Sequence, residues 1–479
     1  MKKKIFVGPG YNVEQYLWMV PLIYGYAQKN NINEIIFEHE KDFSLIKNTP
    51  ELNLILKNFK FKVIHKKKIF HILKSGVINI FLILRIFYSL NKKNILSTKL
   101  NWTFSQLLHG TWDQIVMKTR DDENINFFNK IRIIIFCVYK YDLGKKLFNQ
   151  NVDTAFLSHS VYFERCNLAS LREQNIKVYC QAVTGFYKQK KNEDTSWSDI
   201  NTELFNSYIK KINFINSYWK KRLIGKGSYQ TANYSTVASK NHNVTEKFNL
   251  VLLHIFKDSP FNVIDRARIF ADYFHWIEET LKIAKDSNEI WYFKVHPSAI
   301  KWGEDTKKIF STLTKKIFKK VPKNIVLITN EYSNLKLISK AQKVVTFHGT
   351  AHIEAICFGQ KPIVISRSPI RKISDKLYFK PKSIREYRQL LLSVETQKFK
   401  LSKSETQMGR TFLYIRENIL SLTTRIKRLE YYRNDSIELI NKSFKSVKKE
   451  MNNKSNVDFF INQGKNLSSN KQTHILNEP

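Results

Sequence analysis

The apolar positions of this chain fall into short unbroken runs, each followed by a stretch in which apolar residues recur every three or four positions. The second half is the more regular. Residues 249–256 (NLVLLHIF) form a continuous apolar run, as a parallel strand buried on both faces requires. A helical stripe over 263–285 follows, then a strand over 289–295 (EIWYFKV), a helix over 305–318 and a strand over 324–329. A short helix over 333–339, a strand over 343–347 (KVVTF), a turn at His348-Gly349-Thr350, a helix over 351–358 and a strand over 361–366 complete the series. This strict alternation predicts a parallel, doubly wound α/β domain. Right-handed crossovers then deliver every strand's C-terminal end to one side, where ligands bind.

The first half opens the same way. A strand over 4–7 runs into Gly8-Pro9-Gly10, a helix over 13–28 follows, and 34–37 is a second strand. Residues 154–158 (TAFLS) are a buried strand, followed by a helix to about Glu173 and a strand over 177–182 (KVYCQA). Between 60 and 150 apolar and basic stretches alternate without placing their strands, and 188–200 reads as an exposed polar loop. Past 383 the pattern is helical and basic. From Lys442 to Pro479 it is polar, with no periodic apolar face, and predicts a flexible tail. The expected organisation is two Rossmann-like domains, 1–240 and 245–383, then helices over 384–441 and a tail over 442–479.

Composition narrows the partners. Hydrophobic residues make up 43%, enough for two cores, and 80 Lys+Arg against 41 Asp+Glu give a formal charge of +39. Such an excess attracts polyanions. No RNA-module aromatic motif or zinc-finger spacing is present, so nucleic acid is not the expected partner. An anionic inner-membrane surface and an acidic, nucleotide-linked substrate fit the charge, and a merely solvated basic surface fits it as well. The four cysteines form no CxxC pair and read as buried thiols of a reducing compartment. The short apolar run after MKKK ends in Gly-Pro-Gly and is a strand rather than a signal peptide. The stretch GVINIFLILRIFYSL, residues 76–90, is too short to span a bilayer and carries Arg85. It predicts a buried helix or an interfacial one. The expected location is cytoplasmic, peripheral to the inner face of the membrane.

Candidate chemistry gathers at the predicted strand ends. In KVVTFHGTAHIEAICFGQKPIVIS, His348, Gly349 and Thr350 form a turn into a helix whose free N–H groups suit a phosphate, and Glu354 suits ribose hydroxyls. A plain capping arrangement also accounts for Thr350, Glu354 and Gly359, but not for the histidines flanking the turn. Lys294 and His296 end another strand of the same domain, positioned to balance the charge of a departing nucleotide. At the first domain's edge, Glu14 and His159 are candidate bases for an acceptor hydroxyl, with Asp258 of the second domain a third. No metal-ligand spacing is present, and Asp121-Asp122-Glu123 reads as a solvated acidic run.

The Lys-x-His-Pro strand end, followed by His-Gly-Thr-x-x-x-Glu-Ala-x-x-x-Gly-x-Lys-Pro, resembles the capsule polysaccharide biosynthesis family of bacterial glycosyltransferases, which includes Kdo transferases. His254-Ile255-Phe256-Lys257-Asp258-Ser259-Pro260 and Ser158-His159-Ser160-Val161-Tyr162 add to the similarity, which extends over about 245–370. The resemblance implies a GT-B-like α/β fold, two Rossmann-like doubly wound domains facing a cleft, with Lys294, His296, His348, Gly349, Thr350 and Glu354 at the donor. It implies a metal-independent glycosyltransferase of capsule or lipopolysaccharide assembly. Its nucleotide-sugar, possibly CMP-linked, is a substrate rather than a cofactor, and its acceptor is a surface glycan or lipid-linked. A polyol-phosphate transferase, a nucleotide-sugar epimerase and a non-catalytic basic scaffold are the alternatives.

Overall fold

The computed structural model describes residues 3–8, 14–39, 50–57, 59–65, 68–90, 95, 101–119, 126–182, 185–189, 199–225, 247–256, 258, 269–329, 332–421 and 437–467. Pro9, Gly10 and the acidic run Asp121-Asp122-Glu123 lie outside these residues.

Two sheets organise the chain. The first contains β1 (Lys4–Val7), β2 (Glu34–His39), β3 (Lys60–His65), β4 (Val152–Leu157), β5 (Lys177–Ala182) and β6 (Gly185–Lys188) in the order β3-β2-β1-β4-β5-β6. All its pairings are parallel except β5 with β6. Alternation along β1 sorts its side chains by face. Ile5 and Val7 enter one core with α1 (Glu14–Lys29), and Phe6 enters another on the opposite side. Helix α2 (Pro50–Leu56) precedes β3, and the stretch whose strands the pattern left unplaced holds β3 and is otherwise helical among the described residues: α3 (Lys68–Ile78), α4 (Ile80–Ser89), α5 (Trp102–Thr119) and α6 (Phe127–Asn149). Helix α7 (Tyr162–Glu173) follows β4 and covers the Phe6 side together with α6. Within 76–90, Ile83 and Ile86 are buried while Phe81, Leu84 and Tyr88 are exposed, so one face packs and the other does not.

Between the sheets come α8 (Thr202–Ile209) and α9 (Ile212–Leu223). The second sheet is wholly parallel, with β7 (Phe248–Leu252), β8 (Ile290–Lys294), β9 (Ile325–Ile328), β10 (Lys343–Thr346) and β11 (Ile363–Val364) in the order β11-β10-β7-β8-β9. Its helices are α10 (Tyr273–Lys285), α11 (Thr306–Ile317), α12 (Asn334–Lys340), α13 (Ala351–Cys357), α14 (Ile384–Leu392) and α15 (Lys403–Tyr414). The fold is therefore α/β with two doubly wound sheets, as the alternation predicts. Helix α10 is shorter than the 263–285 expectation, because Asp272 caps it by accepting from the His275 N–H at 2.8 Å.

The expected boundaries fail in two places. Helices α8 and α9 lie within the bounds expected for the first domain, yet Phe205, Tyr208, Ile215 and Trp219 pack with Ile353, Ile356 and Phe412 of the second. The expected loop 188–200 likewise ends in buried Asp199 and Ile200. The second correction concerns the tail. Residues 442–467 are not a flexible polar extension, since α16 (Ile437–Met451) and α17 (Lys454–Leu467) pack on the first sheet's α1, and 468–479 lie outside the described residues. Val447, Phe460 and Leu467 are fully buried there, and the Tyr179 hydroxyl donates to the Leu467 carbonyl at 2.8 Å. Helices α1 and α17 meet backbone to backbone. A Cβ on Gly25 would lie 1.9 Å from the Ile461 oxygen, and one on Gly464 would lie 2.0 Å from the Leu22 oxygen.

Candidate functional site

The strand order locates the crevice in each sheet. A doubly wound sheet opens where its winding reverses, at the C-terminal ends of the two strands flanking the reversal. In the second sheet these are β7 and β10. Beyond β7 the chain carries His254, and beyond β10 it carries His348, Gly349 and Thr350, all partly exposed. Gly349 has φ +105, a backbone conformation only glycine adopts freely, and faces the His254 ring. His296 follows β8, its ring centroid 5.3 Å from that of His254. The structure thus brings the predicted Lys294, His296, His348, Gly349 and Thr350 to one strand edge, whereas Glu354 lies inside α13, buried in an ion pair with Arg222.

Two of the histidines there, His296 and His348, are held neutral rather than cationic. Enclosure, followed by the nearby charges of His254 and Arg416, pushes His348 down to about 3. Burial, His254 and Lys294 hold His296 well below its usual range. The Nδ1 of His254 accepts from the Ile255 N–H at 2.8 Å, and that of His296 accepts from the Ser298 N–H at 3.1 Å. A longer approach of His254 Nδ1 to the Ile255 carbonyl, 3.4 Å, does not compete with the shorter bond. With Nδ1 accepting on both rings, the donor each has to offer is its Nε2–H. His348 Nδ1 is 2.9 Å from the Ser366 hydroxyl, and the buried His352 Nε2 is 2.7 Å from that of Ser368.

Two cations serve the same edge. Lys294 is buried, its Nζ donating to the Val295 carbonyl at 3.0 Å, and burial lowers its pKa to about 8. Arg416 donates from NH1 to Thr350 Oγ1 at 2.8 Å. It lies in a single π-turn, Ile415–Ile419, which widens the helix after α15. Thr350 occupies the cap position of α13 without a side-chain capping bond, so the capping-box account of Thr350 and Glu354 does not hold. Glu354 is instead buried against Arg222, at 2.5 Å from NH2, and Arg222 Nε lies 3.1 Å from Glu417. Gly359, at φ +78, does close the helix as expected. Sequence reading missed Arg222, Arg416 and Glu417; the basic and acidic residues around them carry no spacing signal.

The winding of the first sheet reverses between β1 and β4, in the same order as in the second. Gly8 follows β1 and His159 follows β4, while Glu14 begins α1 with a side chain outside the described residues. Burial lowers the His159 pKa, opposed by the Glu164 carboxylate. Beneath this edge lies a buried ion cluster that the sequence did not reveal. Lys140 Nζ reaches Glu38 at 2.7 and 2.8 Å and Glu164 at 2.7 Å. Burial opposes the charge on Lys140, and Glu164 and then Glu38 outweigh it, raising its pKa.

The two edges face each other. Tyr162, at the start of α7, donates from its hydroxyl to Asp258 Oδ1 at 2.7 Å, joining the loop after β4 to the loop after β7. Tyr162 holds φ +52, a left-handed conformation that costs a non-glycine residue about 1–2 kcal/mol. His159 and Asp258, two of the three predicted bases, thereby sit on either side of one cross-cleft bond. The buried Tyr273 hydroxyl is raised in pKa by burial first, and then by Asp258 and Glu304.

No family model matches the chain, and no curated protein sequence matches it. Among solved structures, similarity extends to a UDP-GlcNAc 2-epimerase of Methanocaldococcus jannaschii, at 13% identity over 86% of this chain and 100% of that one, TM-score 0.29. It extends to KpsC, a β-Kdo 2,4 transferase of Thermosulfurimonas dismutans, at 10% over 56% and 85%, TM-score 0.33. It also extends to the glycosyltransferase VinC, at 8% over 85% and 95%, TM-score 0.24. Likenesses this distant carry no argument about substrate or reaction, and the fold class rests on the chain's own two sheets.

Proposed function

We propose that this chain is a glycosyltransferase that moves a sugar from a nucleotide-linked donor to a surface glycan or lipid-linked acceptor at an anionic membrane face, as in capsule or lipopolysaccharide assembly. The observation that carries the reading is the β7/β10 crevice. There Arg416, Lys294 and a set of neutral imidazoles meet at a glycine turn, opposite the crevice of a second doubly wound sheet. Cations and N–H donors at such a crevice suit a nucleotide diphosphate or monophosphate leaving group. The donor's sugar would then face the Tyr162–Asp258 contact.

In the step itself, the acceptor oxygen bonds to the anomeric carbon as the bond from that carbon to the phosphate oxygen breaks. The leaving nucleotide keeps the electron pair and is held by Lys294 and Arg416. Asp258 or the neutral His159 takes the acceptor's proton.

Mass-spectrometric assay with a nucleotide-sugar panel tests this. Nucleotide should be released only when a glycan or lipid-linked acceptor is present. Asp258→Asn should lower turnover by about 10²–10⁴-fold while donor affinity stays within about twofold. Interconversion of the donor sugar without any acceptor would make the protein an epimerase and sink the proposal.

A further inference from the structure

We infer that the exposed apolar face of α3, α4 and the start of α6 seats this protein on an anionic phospholipid surface. The inference rests on the membrane-linked acceptor proposed above and says where the contact is made. Ile69, Leu73 and Val77 follow one another at helical spacing along α3. Phe81 and Tyr88 do so along α4, and Phe128 stands beside them at the start of α6. All six are between 59% and 84% exposed. Single exposed apolar residues are ordinary on any surface; a continuous stripe across three helices marks a contact surface. The opposite sides are well packed: Ile83 and Ile86 enter the core with Ile134 and Val138 of α6, and Gly76 lies against Ile135.

Geometry favours lying on a bilayer over crossing it. Among the described residues no single helix is long and apolar enough to cross a membrane, and the segments Ile69–Ile78 and Ile80–Ser89 are bent by 80°. At 1.5 Å per residue each is about 15 Å long, half of a hydrocarbon core of about 30 Å. Two short apolar helices in one bent layer match an interfacial element.

Charge identifies the occupant. From Leu52 to Trp112 the chain has no Asp or Glu and eleven Lys or Arg (57, 60, 62, 66, 67, 68, 74, 85, 92, 93 and 99). Arg85 lies 4.1 Å over the Phe104 ring and Lys130 lies 4.8 Å over Phe87, keeping cations at the apolar margin. A second copy of this chain would bring the same positive face against itself. An anionic bilayer offers both a negative surface and hydrocarbon beneath it, with aromatic side chains suited to the boundary. Helix α6 links this face to the first crevice: from Phe127 to Lys140 it rises about 20 Å. A lipid-linked acceptor anchored in the bilayer would meet the crevice at that height.

The test uses the full chain. Co-sedimentation at 0.1 M salt compares phosphatidylglycerol–phosphatidylcholine vesicles with phosphatidylcholine alone. The triple variant Leu73→Glu, Phe81→Glu, Phe128→Glu is compared with wild type. Phe81→Cys carries an environment-sensitive fluorophore, the four natural cysteines being buried. We expect at least tenfold stronger binding to the anionic vesicles, at least a tenfold loss in the triple variant, and a blue shift of the label on anionic vesicles. Equal sedimentation of variant and wild type would overturn the inference, as would a label that does not respond on vesicles that pellet the protein. A concentration-dependent dimer that the triple variant abolishes, without vesicle binding, would reassign the face to self-association and overturn it too. Nucleotide-induced thermal shifts on the same samples separate the two readings. Vesicle binding without any nucleotide shift retains the docking face and removes the transferase; the reverse removes only the docking face.

Discussion

Lys140→Met is expected to lower the free energy of unfolding by about 3–5 kcal/mol, the scale of leaving buried charge unpaired. Lys140, Glu38 and Glu164 are each at most 5% exposed in their side chains, and the ammonium is within 2.8 Å of three carboxylate oxygens. Methionine fills the space of the stem but leaves two carboxylates facing each other without a cation. Their folded pKa values then rise above the unfolded ones, so the folded variant holds more protons than the unfolded chain above about pH 4. Its stability therefore falls as pH rises, and the deficit against wild type should be larger at pH 7.5 than at pH 5. Adding Glu38→Gln and Glu164→Gln to the variant should recover most of the loss. Denaturant unfolding at the two pH values measures it. A deficit under about 1 kcal/mol, equal at both pH values, would mean that water reaches the cluster.

Gly464→Leu is expected to detach the C-terminal helices from the first domain. The α1–α17 contact leaves no room for even a Cβ at this position, because the Leu22 carbonyl oxygen is 2.0 Å from where it would sit. Separating the helices withdraws Phe460 and Leu467 from the core around Trp18 and Tyr26. The loss should be about 3–5 kcal/mol, comparable to truncating one large core side chain. Limited proteolysis should then release α16 and α17 from the variant under conditions that spare them in wild type. An unchanged melting midpoint and an unchanged digest would show that the tail adds no stability to the first domain.

The second sheet was legible because its strands are buried on both faces and read as apolar runs; β8 to β11 fall within the expected segments, and β7 starts one residue before its own. The region 60–150 was not legible for a related reason. Helix α6 is buried on several sides, so its apolar residues form no single stripe, and Lys140 looks like any surface lysine until Glu38, 102 positions away, is found beside it. The tail misled through its polar composition. Its signal lay in a narrow stripe, Phe444, Val447 and Met451, then Val457, Phe460, Gly464 and Leu467, at spacings of three and four. The glycine in that stripe marked the close approach. In the site, Lys294, His296, His348 and Thr350 were readable because a strand end fixes their place. Arg222 and Arg416 were not, since their partners Glu354 and Thr350 lie 132 and 66 positions away.

Calorimetric titration with CMP, CDP, UDP and GDP tests most directly whether the β7/β10 crevice binds a nucleotide. With its pKa lowered to about 8, Lys294 is charged below that pH and neutral above it. The unfolded lysine titrates near 10.5, so this residue makes folding stability rise with pH between about 8 and 10.5, whereas an anion is bound best below 8. The prediction is binding of one nucleotide class at pH 7, weakening by up to about tenfold per unit above pH 8. Lys294→Met should bind about 10–100-fold more weakly with a flattened pH dependence. No binding of any nucleotide by folded wild type, or the same affinity and pH dependence in Lys294→Met, would contradict the account.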